Sequence, residues 1–365
     1  MTPGAIRGEC PGALRPMLSG DGLLVRVRPR LGRLSAAQAR GVAEAALRHG
    51  SGDLDLTRRA NLQVRAVRDH DALLADLDAL GLIDPDPVTE RRRNIVVEPT
   101  HHPDSLRIAR AIEDGLHMLP DLPAKFGFAV DCGAAQMLDD APADVRVERA
   151  ASGFSVRADG LPTGRAASPH GAPLMALALA RLFARLRGSH RRMRDLAAMG
   201  GLPVGHEGTA PLPAAAPLAP GPNPEGAVVG APFGAVRAET LLAALERSGA
   251  TGIRLTPWRL MLLEEGAMPG LPDLCEVPDP RLAAHACPGA PRCASATVET
   301  RALASALAAR HPGLHVSGCD KGCALSAPAP LTLVGCAGLY DLVRDGRASD
   351  AWARAGLTLE EALRA

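Results

Sequence analysis

The chain has 365 residues, 47% hydrophobic and 22% charged, with a formal net charge of +1. That length exceeds what one compact core usually holds, so two or more domains are expected. The near-neutral balance gives no electrostatic case for nucleic acid or an acidic membrane. No stretch is long and apolar enough to span a bilayer, and no apolar signal core opens the chain, so a cytoplasmic protein is expected.

In chain order, residues 23–28 of "DGLLVRVRP" alternate apolar and charged positions, the period of a strand with one face on a core. Gly32 marks a turn, Ser35 is placed to cap a helix, and an Ala-rich helix is expected over 36–48. After the turn "HGSGD", "LDLTRRANLQVRAV" reads as a second strand with a polar edge. "ERRRNIVVEPTHHPD", a helix and the strand-like "LPAKFGFAVDCG" follow, and then a helix-like stretch over 172–201. Residues 203–226 are rich in Pro, Ala and Gly without periodicity, which predicts a linker or loose surface loop.

Beyond that segment the first pattern returns. "GAVVGAPFGAVRAETLLAALERSGATGIRLTPWRLMLLEEG" (226–266) again runs strand, Gly turn, helix, Gly turn, strand. "LDLTRR" aligns with "IRLTPW", with Thr57 and Thr256 as equivalents. Two copies of a roughly forty-residue pattern point to gene duplication and pseudo-two-fold packing rather than to a solenoid.

Four of the eight cysteines fall in two pairs: Cys287 and Cys293 as C-x5-C, Cys319 and Cys323 as C-x3-C. In a reducing compartment such pairs favour metal or catalysis over disulfides. Structural zinc usually takes tighter knuckles, whereas wide loops shaped by Pro and Gly suit an iron–sulfur cube with one thiolate per iron. Zinc, disulfides and unrelated buried thiols remain the alternatives on spacing alone. Gly318 and Gly322 leave room for backbone N–H groups near cluster sulfurs, and Lys321 could offset anionic charge. Cys10, Cys132, Cys275 and Cys336 have no paired spacing and read as small core residues. Of the 41 basic residues only two are lysine, Lys125 and Lys321, and both fall in motifs singled out on other grounds. A compact ammonium can be required where a planar guanidinium does not fit.

With these motifs the chain resembles the sulfite/nitrite reductase family. "GLLVRVRPRLGRL" and "LTRRANLQ" look like that family's first half-repeat, "RRNIVV" and "LPAKFGFAVD" its first lobe, "IRLTPWR" its second half-repeat, and the cysteine pairs its second lobe. The resemblance implies an α+β fold of duplicated ferredoxin-like half-domains plus two α/β lobes, related by a pseudo-two-fold. The units expected are a half-repeat over 14–75, a lobe over 88–202, the linker over 203–225, a second half-repeat over 226–270 and a cluster-bearing lobe over 280–365. It also implies a [4Fe-4S] cluster on Cys287, Cys293, Cys319 and Cys323, with Cys323 in the position that bridges to siroheme iron.

The family's cage for an oxyanion maps onto Arg28, Arg93, Lys125 and Gly127, so one cage cation is missing. Ala60 also stands where the family's "T-x-R-Q-x-x-Q" has its first Gln, while Arg59 and Gln63 remain. These departures favour one branch of the family. That branch hydroxylates precorrin-3A at a meso carbon with dioxygen, with lactone closure, on the aerobic route to cobalamin. It implies a mononuclear non-heme iron of unknown ligands beside the cluster, with siroheme the less favoured cofactor. Arg28, Arg59, Gln63, Arg93, Asn94 and Lys125 are then expected to hold substrate carboxylates or the macrocycle, with Lys125 and Arg93 nearest the chemistry. His101, His102 and His285 are the histidines considered for the second iron, and none is assigned to it. No G-x-G-x-x-G fingerprint appears, so NADH-derived electrons are expected through a separate reductase. The competing readings are a siroheme-dependent sulfite or nitrite reductase, and a cluster-bearing electron-transfer or binding protein without chemistry of its own.

Overall fold

The computed structural model describes residues 11–364 apart from 204, 206, 207 and 217, so Cys10 lies outside the described residues. The first half-domain runs β1 (Met17–Ser19), β2 (Gly22–Val27), β3 (Arg33–Ser35), α1 (Ala36–His49), β4 (Asp53–Leu56), β5 (Leu62–Val67) and α2 (His70–Ala79). Ser35 does cap α1. Its Oγ accepts from the Gln38 backbone N–H, and the Gln38 side chain accepts from the Ser35 N–H. Such reciprocal caps contribute about 1 kcal/mol.

The stretch expected as one strand over 54–67 is instead the hairpin β4–β5. Thr57 Oγ1 accepts from the backbone N–H groups of Arg59 and Asn61 and turns the chain back. Thr256 does the same for Trp258 and Leu260 in the second copy, which accounts for the shared Thr.

The first lobe contains α3 (Pro87–Arg92), β6 (Ile95–Val97), α4 (Pro103–Gly115), β7 (Phe128–Asp131), β8 (Val145–Arg149), β9 (Phe154–Ala158), β10 (Arg165–Ala167), α5 (Gly171–Leu186) and α6 (Met193–Ala198). The long helix expected over 172–201 is therefore two helices. The break falls at "RGSHRR", which has no apolar stripe to bury and carries the poor helix formers Gly188 and Ser189.

The second half-domain is β11 (Gly221–Asn223), β12 (Gly226–Gly230), β13 (Ala235–Arg237), α7 (Ala238–Ser248), β14 (Gly252–Leu255) and β15 (Leu260–Glu264). The second lobe is β16 (His285–Ala286), α8 (Arg301–Leu307), β17 (His315–Ser317), β18 (Ala329–Cys336), β19 (Leu339–Gly346), β20 (Arg354–Leu357) and α9 (Leu359–Leu363).

Among the described residues, two of the four five-stranded sheets are shared between the half-domains. Their orders are β1-β2-β5-β4-β13 and β11-β12-β15-β14-β3, so each copy completes its sheet with a strand from the other. Ala235 pairs with Asp55, and Arg33 pairs with Arg254. One apolar core follows, in which Leu34, Val42, Leu54 and Val64 pack in the same cluster as Leu241, Ile253 and Leu263. The lobes repeat each other as well. Their orders, β6-β7-β8-β9-β10 and β16-β17-β18-β19-β20, share one pattern of two parallel pairings followed by two antiparallel ones. The duplication therefore extends through half-domain and lobe alike, an α+β architecture with pseudo-two-fold organisation.

The Pro/Ala-rich segment is not a free loop. Thr209, Pro211 and Ala214 bridge to Gly164, Ala150 and Gln136 of the first lobe, and the segment's end forms β11. Proline-rich chain is extended, and its remaining N–H and C=O groups can satisfy a sheet edge. Among the described residues no helix is long and apolar enough to cross a membrane.

Candidate functional site

β16 and β17 are parallel neighbours, with His285 opposite His315 and Ala286 opposite Val316. Parallel strands release their following loops at the same edge of the sheet, where open α/β sheets place ligands. The chain passes from β16 through the Cys287–Cys293 loop and α8 to β17, and then into the Cys319–Cys323 loop. Two pairs far apart in sequence thus meet. The loops are tied by the Thr297 N–H to the Gly318 carbonyl (2.9 Å) and by Lys321 Nζ to Ser295 Oγ (2.9 Å).

All four thiols line one cleft of about 950 Å³. The β1–β2 hairpin lies close against the first cysteine loop. The Gly20 carbonyl accepts from the Ala294 N–H (2.8 Å), and a Cβ at Gly20 would stand 2.3 Å from Cys293 Sγ. Only glycine permits that approach.

The donor set suits a multi-iron sulfur cluster. Four thiols face one space, and the Gly318 N–H donates to Cys287 Sγ at 3.2 Å, a bond that stabilises a sulfur carrying negative charge. The surrounding protein, with the neighbouring Cys319, Cys287 and Cys293, pushes the Cys323 thiol up, as expected for thiols gathered without their counter-cation. Among the described residues no three His, Cys, Asp or Glu side chains converge closely enough to hold a single metal ion.

The first half-domain supplies the opposite wall. Alternation along β2 and β5 puts Val25, Val27, Leu62 and Val64 in the core and turns Leu24, Arg26, Gln63 and Arg65 to the cleft. Gln63 Oε1 accepts from Arg26 Nη2 (2.8 Å) across the strand pair. Arg65 is clamped by Asp21 on two nitrogens (2.7 and 2.8 Å) and by Asp55 (2.6 Å). Arg59 Nη2 donates to the Lys125 carbonyl (3.3 Å), which joins the hairpin turn to the first lobe. Both lysines of the chain line this cleft.

Of the residues expected at substrate, the structure brings Arg59, Gln63 and Lys125 to the cleft. It does not bring Arg28, Arg93 and Asn94, which are buried outside its lining. Arg93 pairs in fork geometry with Asp84 (2.7 to 3.2 Å) and donates to the Arg28 carbonyl (2.8 Å). Arg28 donates to the Glu90 carbonyl (2.7 Å) and to Asn94 Oδ1 (3.1 Å). Asn94 Nδ2 donates to the carbonyls of Arg91, Ala124 and Phe126. These three side chains fasten α3 to the end of β2 and the start of β7, so they act as scaffold. The glycine in the fourth cage position follows from the same packing: a Cβ at Gly127 would meet the Asn94 carbonyl at 2.8 Å.

The histidines also have structural roles. His101 hydrogen-bonds the Leu31 carbonyl, and burial with the nearby Arg254 lowers its pKa to about 4. His102 caps α4 by accepting from the Asp104 N–H. They sit on the loop between β6 and α4. His285 does reach the cleft, where Nδ1 accepts from Arg259 (2.7 Å). Burial and that guanidinium hold its pKa near 4, so the ring is neutral and positioned. Cys132 and Cys275 are buried as expected, but Cys336 ends β18 exposed.

Arg26, Arg259 and Arg301 in the cleft lining were not singled out from sequence. Arg26 had a legible signal, since it lies one strand period before Arg28 and opposite Gln63.

Comparison with known proteins agrees with this architecture. Residues 15–80 match the nitrite/sulfite reductase ferredoxin-like half domain. The NirA protein of Mycobacterium tuberculosis superposes with a TM-score of 0.62 at 20% identity, covering 93% of this chain and 78% of that one, which supports a shared fold. A precorrin-3B synthase of Sinorhizobium sp is 30% identical over 398 residues, 94% of this chain and 84% of that protein. On that similarity, the chain belongs to the precorrin-3B synthase family, built on the nitrite/sulfite reductase fold.

Proposed function

We propose that the chain is an oxidoreductase that converts precorrin-3A to precorrin-3B, hydroxylating a meso carbon with dioxygen and closing a lactone with a neighbouring acetate. The observation that carries the reading is the cleft itself. Four thiols on one wall face Arg26, Arg59, Gln63 and Lys125 on the others, across a cleft of about 950 Å³. The precorrin-3B synthase similarity over most of the chain supports the substrate. One oxygen atom enters the product and the other leaves as water, which consumes two electrons and two protons. The electrons derive from NADH through a separate reductase.

Cys287, Cys293, Cys319 and Cys323 would hold a [4Fe-4S] cluster, which supplies single-electron transfer when bound. Arg59 and Lys125 hold acetate and propionate arms at the turn between half-domain and lobe. Gln63 and Arg26 present a hydrogen-bonding edge to the macrocycle. Of the four cage positions only Lys125 lines the cleft, with Arg28, Arg93 and Gly127 outside it, which counts against a clamp for a small oxyanion and so against a siroheme-dependent sulfite or nitrite reductase. A mononuclear iron has no ligand set gathered among the described residues, so its ligands would come with substrate or from a rearranged loop.

The test is an absorption spectrum of protein purified without air, with iron and acid-labile sulfide measured on the same sample, followed by precorrin-3A turnover under oxygen. A broad cluster shoulder, iron in excess of sulfide and oxygen-dependent product are expected. Sharp tetrapyrrole bands with sulfite reduction and no precorrin turnover would overturn the reading. Cys323→Ser is expected to abolish both the shoulder and turnover, whereas Cys275→Ser leaves both in place.

A further inference from the structure

We propose that Arg301 is the anchor for one carboxylate arm of the substrate, a role that rests on the tetrapyrrole reading of the cleft. Arg301 opens α8 directly after Thr300, whose Oγ1 donates to the Cys287 carbonyl (2.6 Å), so its place relative to the cysteine loop is fixed. It lines the cleft with 21% of its side chain exposed. Yet among the described residues its guanidinium donates no hydrogen bond, and its Nε is enclosed without an acceptor. The nearest carboxylate, Asp55, stands 3.8 Å away with its other oxygen taken by Arg65 at 2.6 Å.

The second half-domain has the satisfied version of this arrangement. Asp55 and Gln63 pair across the first hairpin as Arg254 and Leu262 do across the second. By that register Arg65 corresponds to Glu264. There the outlying Arg33 reaches its partner fully, with three contacts of 2.6 to 2.9 Å to Glu264. Arg33 lies on β3, and its counterpart on β13 is Ala235, the residue facing Asp55. The carboxylate has moved from β15 to β4 between the copies, and Arg301 approaches it from the second lobe but stops short of it.

An enclosed guanidinium nitrogen without an acceptor is destabilising, and native proteins leave few such atoms unless a ligand completes them. Burial, with the like charges of Arg292 and Arg65 and against the opposing Asp55 and Asp53, lowers its pKa. A carboxylate offers two oxygens to the fork of N–H donors. Neither the cage positions nor the cysteine motif includes this residue.

The test is precorrin-3A binding without dioxygen, followed by fluorescence quenching, on holoenzyme purified without air as the parent, Arg301→Gln and Arg301→Lys. A buried charge-assisted pair predicts a rise in Kd of about 10- to 100-fold for Arg301→Gln. Arg301→Lys, which keeps charge but loses the fork, is expected to raise it about threefold or more. The visible spectrum should be unchanged. The thermal midpoint of Arg301→Gln should stay level or rise, since an underused cation is removed, whereas a purely structural arginine would lower it. Binding by Arg301→Gln within twofold of a parent that turns over substrate sinks the assignment and leaves the tetrapyrrole reading standing. If Arg301→Gln does not fold, Arg301→Lys decides alone by the same threefold criterion. A parent that binds no precorrin-3A overturns both.

Discussion

In the first half-domain the sheet face toward the cleft carries Arg26, Gln63, Asp55 and Arg65. In the second, the same register positions are Val228, Leu262, Arg254 and Glu264. Val228, Leu260 and Leu262 form a small apolar cluster covered by Leu218, Trp258 and Leu282. The charged end there is internally balanced, with Arg33 and Arg254 on Glu264 and Arg254 also on Glu225. One copy therefore keeps an open polar face against four thiols, and the other has filled its face with side chains. The lobes diverge in the same way. The first residue beyond β16 is Cys287, whereas the first beyond β6 is Glu98, fully buried and bonded to Thr100 and to the His102 N–H. Duplication supplied two equivalent places for a site, and the side chains at a few strand positions decided which became one.

The contrast can be broken by exchanging residues between the copies. Leu262→Gln puts an amide into the filled face, where burial leaves it without partners, and about 2–4 kcal/mol of stability should be lost in denaturant unfolding. Gly127→Ala should cost about 1–3 kcal/mol, because its Cβ collides with the Asn94 carbonyl, and it should shift Arg28 through Asn94 without improving sulfite binding.

Asp131 offers a pH-dependent version. Burial, opposed by hydrogen bonds from Leu138 and Met137, raises its carboxyl from 3.8 to about 6. Between about pH 4 and 6 the folded chain therefore holds more protons than the unfolded one, so stability falls as pH rises through that window. Asp131→Asn should remove this slope and be more stable than the parent by about 1–3 kcal/mol above pH 7, measured as unfolding midpoints across pH. Gln63→Leu, the reciprocal of the first exchange, should change stability by less than about 1 kcal/mol on its half-open face. It should raise the KM for substrate about 2- to 10-fold by removing one neutral hydrogen-bonding group.

Much of this was legible in the sequence for physical reasons. The repeat showed because each copy needs the same Thr-anchored hairpin, and the thiols showed because two closely spaced cysteine pairs stand out in the chain and the structure brings all four to one cleft. The errors have one source. Alternation tells which face of a strand a residue occupies but not what covers that face. Arg26 on β2 and Arg28 just beyond its end share one face by alternation, yet α3 lies over Arg28 and turns it into a fastening, together with Arg93 and Asn94. Arg301 gave no signal, because its place in the proposed anchor depends on Asp55, about two-thirds of the chain away, being already occupied by Arg65.

The exchange of β3 and β13 has a consequence for how the chain is made. The outer edge of β4 stays unpaired until β13 leaves the ribosome roughly 180 residues later, an interval on the order of 10–40 s at ordinary rates of synthesis. During that time the nascent first half-domain exposes a strand edge able to accept a foreign strand. A gene split between the copies would leave both products in that state. The two halves were thus free to drift apart in chemistry while remaining obliged to be translated as one chain.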